Sequence, residues 1–181
     1  MKKGGGFEKK HVAKECAFVA VFVALVIAVQ LVLSFIPGVE LVTVLFVSYA
    51  FVFGKGRGMV ASTAFSLLRQ LVFGIYPVVL VLYLLYFNAL ALGFGFLGEK
   101  IKATPKSLVF IVVCACIGTV CFSALDSLLN IVWYGYTWDT ARMYILASLP
   151  VMGVQTACTA VTVSVLFLPL AKGLQTAKRG L

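Results

Sequence analysis

Two ionisable side chains interrupt otherwise apolar segments of this sequence, Arg69 and Asp126. Charges inside a bilayer are costly, so such residues are usually paired, face a bundle interior or line a ligand path. Two interpretations stay open: a structural ion pair or side chains that extend to the outer interface, and contacts with a ligand. As ligand contacts, Arg69 would meet a carboxylate or phosphate, and Asp126 or Asp139 would meet a ring nitrogen or an ammonium group.

An aromatic segment, NIVWYGYTWDTAR at positions 130–142, follows the fifth apolar stretch. It contains both tryptophans of the chain, Trp133 and Trp138, and two of its seven tyrosines, Tyr134 and Tyr136. An interfacial aromatic belt is one explanation. A belt would place tryptophans at both interfaces, however, so the clustering favours a lid that stacks on a flat ligand.

Amide side chains add to the candidate site. Asn88 and Gln155 lie deep in apolar stretches, where they must either bridge helices or form the floor of a pocket. Gln30 and Gln70 carry the same ambiguity. Together, the charged, amide and aromatic residues expected in one outward-facing layer form the predicted substrate site: Glu40, Arg69, Asn88, Asp126, Asn130, Trp133, Tyr134, Tyr136, Trp138, Asp139 and Gln155.

The elements that must position these residues are transmembrane helices. Of the 181 residues, 62% are hydrophobic and 12% charged, which is too apolar for a soluble domain of this length. The pattern predicts an all-α polytopic membrane protein, a compact bundle of six transmembrane helices in one domain, 1–181. The predicted helices are Val12–Phe35, Glu40–Phe53, Met59–Phe73, Pro77–Leu97, Ser107–Ile131 and Arg142–Leu170. The second and third are short for a span, because 13 residues rise only ~20 Å.

Loop charges predict the orientation. Thirteen of the fifteen Lys and Arg residues lie in the N-terminal tail, the 54–58 and 98–106 loops and the C-terminal tail. Positive charge concentrates on the cytoplasmic side. Residues 1–11 and 172–181 are therefore predicted to be basic cytoplasmic tails, and Glu40 and the aromatic segment are predicted to face outward.

Small residues form a stripe along the first helix. Ala13, Ala17, Ala20, Ala24 and Ala28 are spaced by three or four residues, which keeps them on one face of a helix. Small-xxx-small faces let a second helix approach closely. Packing within this protein and docking of a partner membrane subunit both remain open, and the docking residues would be Ala17, Ala20, Ala24 and Ala28.

Several classes of function find no support. The five cysteines lie in apolar segments without a CxxC pair, and the single histidine, His11, is in the basic tail, so we predict neither a metal site nor a cofactor. There is no nucleophile motif, no paired carboxylates and no P-loop. We therefore predict that the chain is not an enzyme and that any active transport draws its energy from another subunit. The positive charge indicates anionic lipid rather than nucleic acid.

The sequence resembles the substrate-binding S components of energy-coupling factor transporters, which take up vitamins in prokaryotes. The resemblance rests on the six-helix layout, the alanine-rich first helix, the segment IPGVELVTVLFVSYAFVFGKGRG and the segment LLRQLVFGIYP. It implies a high-affinity pocket facing outward in the cytoplasmic membrane. It also implies a membrane coupling subunit and two cytoplasmic ATPases as partners, with the family's AxxxA contact motif at Ala20 and Ala24.

The sequence therefore predicts a solute-binding membrane subunit for a small, vitamin-like, heteroaromatic nutrient. One alternative is a structural six-helix membrane protein of the cell-shape type, which would have no ligand. Another is a self-sufficient channel or secondary transporter, which would move solute on its own.

Overall fold

The chain folds into six helices. The computed structural model describes residues 5–36 and 39–180, with side chains from Val12 onward, so the charges predicted for the tail 1–11 lie outside the described side chains. The helices are α1 (Gly5–Leu33), α2 (Val42–Phe53), α3 (Lys55–Phe73), α4 (Pro77–Lys100), α5 (Pro105–Tyr134) and α6 (Trp138–Arg179). The all-α prediction and the number of helices are confirmed for the described residues, among which there is no strand.

Two predicted loops are much shorter than expected. Of the GKGRG stretch, only Gly54 lies outside the helices. Its φ of 84° ends α2 and separates it from α3. The aromatic loop is only a three-residue turn, 135–137, because α5 continues to Tyr134 and α6 already begins at Trp138. Gly135 adopts the left-handed conformation that ends α5, and the Thr137 side chain caps α6. One glycine with positive φ is sufficient for each turn.

Four helices are long and apolar enough to cross a membrane: residues 12–33 of α1, then α4, α5 and α6. They indicate a membrane protein. The 12 residues of α2 rise only ~18 Å, against ~30 Å of hydrocarbon, and α3 is not among these four. Crossing of the membrane by α2 and α3 remains a prediction.

The short helix α2 lies at the centre of the bundle. All of its residues are buried, and it contacts each of the other five helices. Around it, α1 packs on α3, α3 on α4, α4 on α5 and α5 on α6, whereas α1 and α6 do not touch each other in the described chain. Aromatic rings of α2 occupy the core, and Phe46 packs against Phe65 and Phe87 at centroid distances of 5.1 and 4.9 Å.

Two glycines of α4 let the end of α2 approach closely. A Cβ at Gly98 would lie 1.9 Å from the carbonyl oxygen of Phe51, and one at Gly95 would lie 2.5 Å from the backbone nitrogen of Lys55. Lys178 of α6 closes the same end by donating to the Val52 carbonyl over 2.6 Å. Because α2 is anchored at its C-terminal end and is short, its N-terminal end leaves space between the surrounding helices.

Candidate functional site

Arg69 lies in that space with a charge that the protein does not neutralise. Its Nε donates to Oε1 of Gln30 over 3.1 Å, and Nε2 of Gln30 donates to the Tyr83 hydroxyl over 3.0 Å. The guanidinium carbon, Cζ, lies 4.6 Å from the Phe73 ring centroid and 4.4 Å from that of Tyr83. One terminal nitrogen is buried without an acceptor. The side chain is therefore fixed in place while part of its hydrogen-bonding capacity is unused.

A cavity of about 290 Å³ opens beside Arg69. The N-terminal end of α2 reaches it, and no side chain caps that helix end, so the partial positive charge of the helix terminus adds to that of the guanidinium. The volume is at the lower end of the range for small-molecule sites. The lining residues are Gln30, Leu33, Ser34, Ile36, Val39, Glu40, Leu41, Val42, Arg69, Phe73, Tyr83, Phe122 and Gln155.

Glu40 places an acid in the same cavity. Its Oε1 accepts a hydrogen bond from the Thr43 hydroxyl over 3.0 Å, and its backbone carbonyl accepts from the Cys158 thiol over 3.5 Å. Burial raises the pKa of Glu40 above its ordinary value, and the Thr43 hydrogen bond partly opposes this rise. Glu40 and Arg69 form no ion pair in the described chain, so the cavity contains separate positive and acidic groups.

A second cavity, of about 300 Å³, lies between α5 and α6 and contains Asp126. Asn130 donates to Oδ1 of Asp126 over 3.1 Å, and no cation of the described chain pairs with this carboxyl group. Phe122 and Gln155 line both cavities, so the two adjoin. The remaining walls are Ser123, Tyr144, Ala147, Ser148, Val151 and Met152. The predicted alternative of an Arg69–Asp126 ion pair is therefore wrong.

The structure brings together about half of the predicted substrate site. Glu40, Arg69, Asp126 and Gln155 line the two cavities, and Asn130 holds Asp126 through its amide. Gln155 thus lines a pocket, which is one of the two alternatives that the sequence left open. The four lining residues come from three helices and one connection, which sequence spacing alone could not join.

Asn88 and Asp139 line neither cavity. The Asn88 amide accepts from the Ser62 and Thr63 hydroxyls over 2.9 and 3.2 Å and donates to the Leu84 carbonyl over 2.8 Å. Its hydrogen bonds therefore join α3 to α4, and the prediction that it lies in the pocket layer is corrected. Asp139 is exposed in the first turn of α6, where a carboxylate stabilises the helix N-terminus.

The aromatic segment does not cover either cavity in this structure. Trp133 and Trp138 are 55% and 75% exposed and line neither space. Tyr134 stacks on Tyr136 at 6.0 Å, and Tyr136 reaches Tyr144 of the second cavity at 5.6 Å. The tyrosines thus approach the edge of the site, whereas the predicted lid function of the tryptophans is not reflected in their position.

Aromatic side chains of the site were missed by sequence reasoning. Phe73, Tyr83 and Phe122 line the Arg69 cavity, but none of them is among the residues that the sequence predicted for the site. Two signals were present: Phe73 is one helical turn from Arg69, and Tyr83 carries a hydroxyl that needs a partner inside an apolar helix.

The alanine stripe of α1 lies on the exposed side of the helix. Ala17, Ala20, Ala24 and Ala28 are all exposed, whereas Phe22, Val23 and Val26 bury the opposite face of the helix in the core. Packing of the stripe against another helix of the same chain is therefore not what the structure shows.

A larger groove of about 440 Å³ lies between α1, α2 and α3. Its wall is almost entirely apolar, and its two charged residues, Glu15 and Arg57, are paired with each other. It therefore offers a polar solute less than the Arg69 cavity does. Among the described residues no three His, Cys, Asp or Glu side chains come together as metal ligands, and the five cysteines are free thiols.

Comparison with known proteins found no similar family, curated protein or solved structure for this chain. The resemblance to S components therefore remains a prediction from the sequence.

Proposed function

We propose that this chain is the substrate-binding membrane subunit of an importer of the energy-coupling factor type. In this proposal all six helices cross the prokaryotic cytoplasmic membrane, both termini are cytoplasmic, and the Arg69 cavity opens outward. The cargo is a small nutrient of vitamin size with an anionic group and a flat ring.

The observation that carries the proposal is the incomplete pairing of Arg69. A half-buried guanidinium with a buried nitrogen and no counter-ion is unfavourable inside a membrane protein, yet Gln30, Phe73 and Tyr83 hold it beside an open cavity. A carboxylate of a bound solute would supply the missing charge and the missing acceptor. The rings beside it provide an apolar surface for the remainder of a small planar molecule.

Charge placement supports the outward orientation. Lys55 and Arg57 lie in the first turn of α3, and Arg69 follows Arg57 by 12 residues in the same helix, a rise of ~18 Å. The other basic clusters, at 100–106 and 172–179, adjoin the same end of the bundle, where Lys178 contacts the C-terminal end of α2. If positive charge marks the cytoplasmic side, the cavity lies in the outer half of the membrane.

Uptake against a gradient needs partners. The sequence contains no ATP-binding motif, so we propose a membrane coupling subunit and two cytoplasmic ATPases. The exposed stripe of Ala17, Ala20, Ala24 and Ala28 supports docking of the coupling subunit on α1.

Solute binding is tested by mass spectrometry of small molecules that co-purify with the wild-type protein and with Arg69→Gln. We expect an anionic compound with the wild type and at least a tenfold loss in the variant, since the missing ion pair and its hydrogen bonds are worth about 1.5–3 kcal/mol. Circular dichroism and gel filtration serve as controls for folding. Wild-type protein free of any compound would favour the structural six-helix protein instead.

Docking is tested with the double substitution Ala20→Leu and Ala24→Leu. We expect uptake in cells to fall while the co-purifying solute is retained, because only the approach of a second helix is blocked. Leu25→Phe is the matched control, since Leu25 is exposed on another face of α1. Uptake by the wild-type chain reconstituted alone would instead indicate a self-sufficient transporter.

A further inference from the structure

Two opposite charges lie in adjoining cavities without neutralising each other. Arg69 borders the first cavity and Asp126 the second, and Phe122 and Gln155 form the wall between the two. No ion pair joins Arg69 to Asp126 in the described chain. Both residues belong to helices of the bundle, where opposite charges attract more strongly than in water.

The protein holds the two charges apart with separate anchors. Gln30 and two aromatic rings fix the guanidinium of Arg69. Asn130 donates to the side chain of Asp126 over 3.1 Å and to its backbone carbonyl over 2.9 Å. These contacts satisfy only part of the hydrogen-bonding capacity of Arg69 and Asp126. Each side chain can therefore still bind a further partner.

We propose that the substrate is a dipolar molecule whose acid group binds Arg69 in the first cavity and whose basic nitrogen binds Asp126 in the second. This inference rests on the proposed function and specifies its substrate class. A dipolar molecule would compensate both charges at once, whereas a simple acid would leave Asp126 without a counter-ion.

Asp126 fits the basic nitrogen better than the other two acids near the site. Glu40 shares the first cavity with Arg69, so an amine bound there would leave Asp126 in the second cavity without a counter-ion. Asp139 is exposed and lines neither cavity.

The wall between the cavities suits the middle of such a molecule. Oε1 of Gln155 accepts from the Ser123 hydroxyl over 3.4 Å, and Phe122 supplies an apolar face on both sides. An amide and an aromatic ring at this position can contact a linker or ring that joins the two charged ends.

The test uses ω-amino acids of three to eight carbons as a molecular ruler. Each is compared with the carboxylic acid and the primary amine of the same length, and the unfolding midpoint of the purified protein is measured in one detergent. At one chain length we expect the amino acid to raise the midpoint by about 2–4 °C more than either singly charged analogue. A shift of this size is expected when the amino acid is present at roughly five times its own Kd. If no length shows this advantage, the inference is overturned.

Variants locate the amine. Asp126→Asn should abolish the advantage of the amino acid over the carboxylic acid, and Asp139→Asn, the same change at an exposed acid, should retain it. Loss of the advantage in Glu40→Gln with its retention in Asp126→Asn would overturn the assignment. Arg69→Gln should remove stabilisation by the acids and the amino acids alike.

The co-purifying compound separates this inference from the proposed function. An anionic compound without a basic nitrogen would overturn the dipolar substrate and leave the solute-binding role intact. A protein that carries no compound and responds to no probe would overturn both.

Discussion

The contact between Gly98 of α4 and the backbone of α2 leads to a quantitative prediction for Gly98→Ala. The new Cβ would lie 1.9 Å from the Phe51 oxygen and 2.7 Å from its carbonyl carbon, whereas a C–H···O contact needs about 3.3 Å. Helices α2 and α4 would have to separate by about 1.4 Å. The neighbouring atoms belong to the backbone and cannot rotate away. We therefore expect the free energy of unfolding to fall by about 3 kcal/mol, near the upper end of the usual cost of overpacking.

Gly93→Ala is the matched control in the same helix. Gly93 has no neighbour within 4 Å of an added Cβ, and alanine stabilises a helix by about 0.5–1 kcal/mol relative to glycine. The two variants should therefore differ by about 3–4 kcal/mol. The assay is unfolding by sodium dodecyl sulfate titration, followed by circular dichroism. Equal stability of the two variants would show that α2 and α4 are not packed as closely as described.

Three further predictions concern the hydrogen bonds of two side chains and the titration of a third. Asn88→Ala should lower the unfolding free energy by about 0.6–1.7 kcal/mol, the range for hydrogen bonds between membrane helices; an unchanged unfolding curve would contradict the bridge between α3 and α4. Lys178→Met should lower the free energy of unfolding by about 0.5–1.5 kcal/mol, because it removes the donor to the C-terminal end of α2. Lys172→Met, at an exposed lysine, should have little effect. Equal losses in the two variants would argue against the contact between Lys178 and α2. Because the pKa of Glu40 is raised in the folded state, wild-type stability should fall as pH rises through the range above an ordinary glutamate pKa, and Glu40→Gln should remove that part of the fall. Unfolding midpoints between pH 4 and 8 would test this, and parallel curves would refute it.

Helix content followed from composition, but helix ends did not. The apolar stretches predicted six helices because each was bounded by glycine, proline or charge. The positions of the turns depend on which glycine adopts positive φ, and Gly54 and Gly135 did so while their neighbours joined the helices. Trp133 and Trp138 became helical residues for that reason.

The charged members of the site could be predicted because a charge in an apolar helix is conspicuous. Arg69 and Asp126 line cavities as one of the two interpretations expected. Asn88 could not be assigned in this way, because an amide satisfied by α3 and an amide facing a cavity have the same sequence signature. Its outcome depended on Ser62 and Thr63 lying opposite it across the helix interface.

The missing contact between α1 and α6 has a mechanical consequence. In the described chain α1 packs on α2 and α3, and Gln30 adds a hydrogen bond to Tyr83 of α4. The ring of helices around α2 is therefore open between α1 and α6. An outward displacement of α1 breaks packing along one side only, whereas moving α4 disrupts α2, α3 and α5 together. Gln30 lies on that displaceable helix and bonds directly to Arg69, so motion of α1 would alter the charged cavity first.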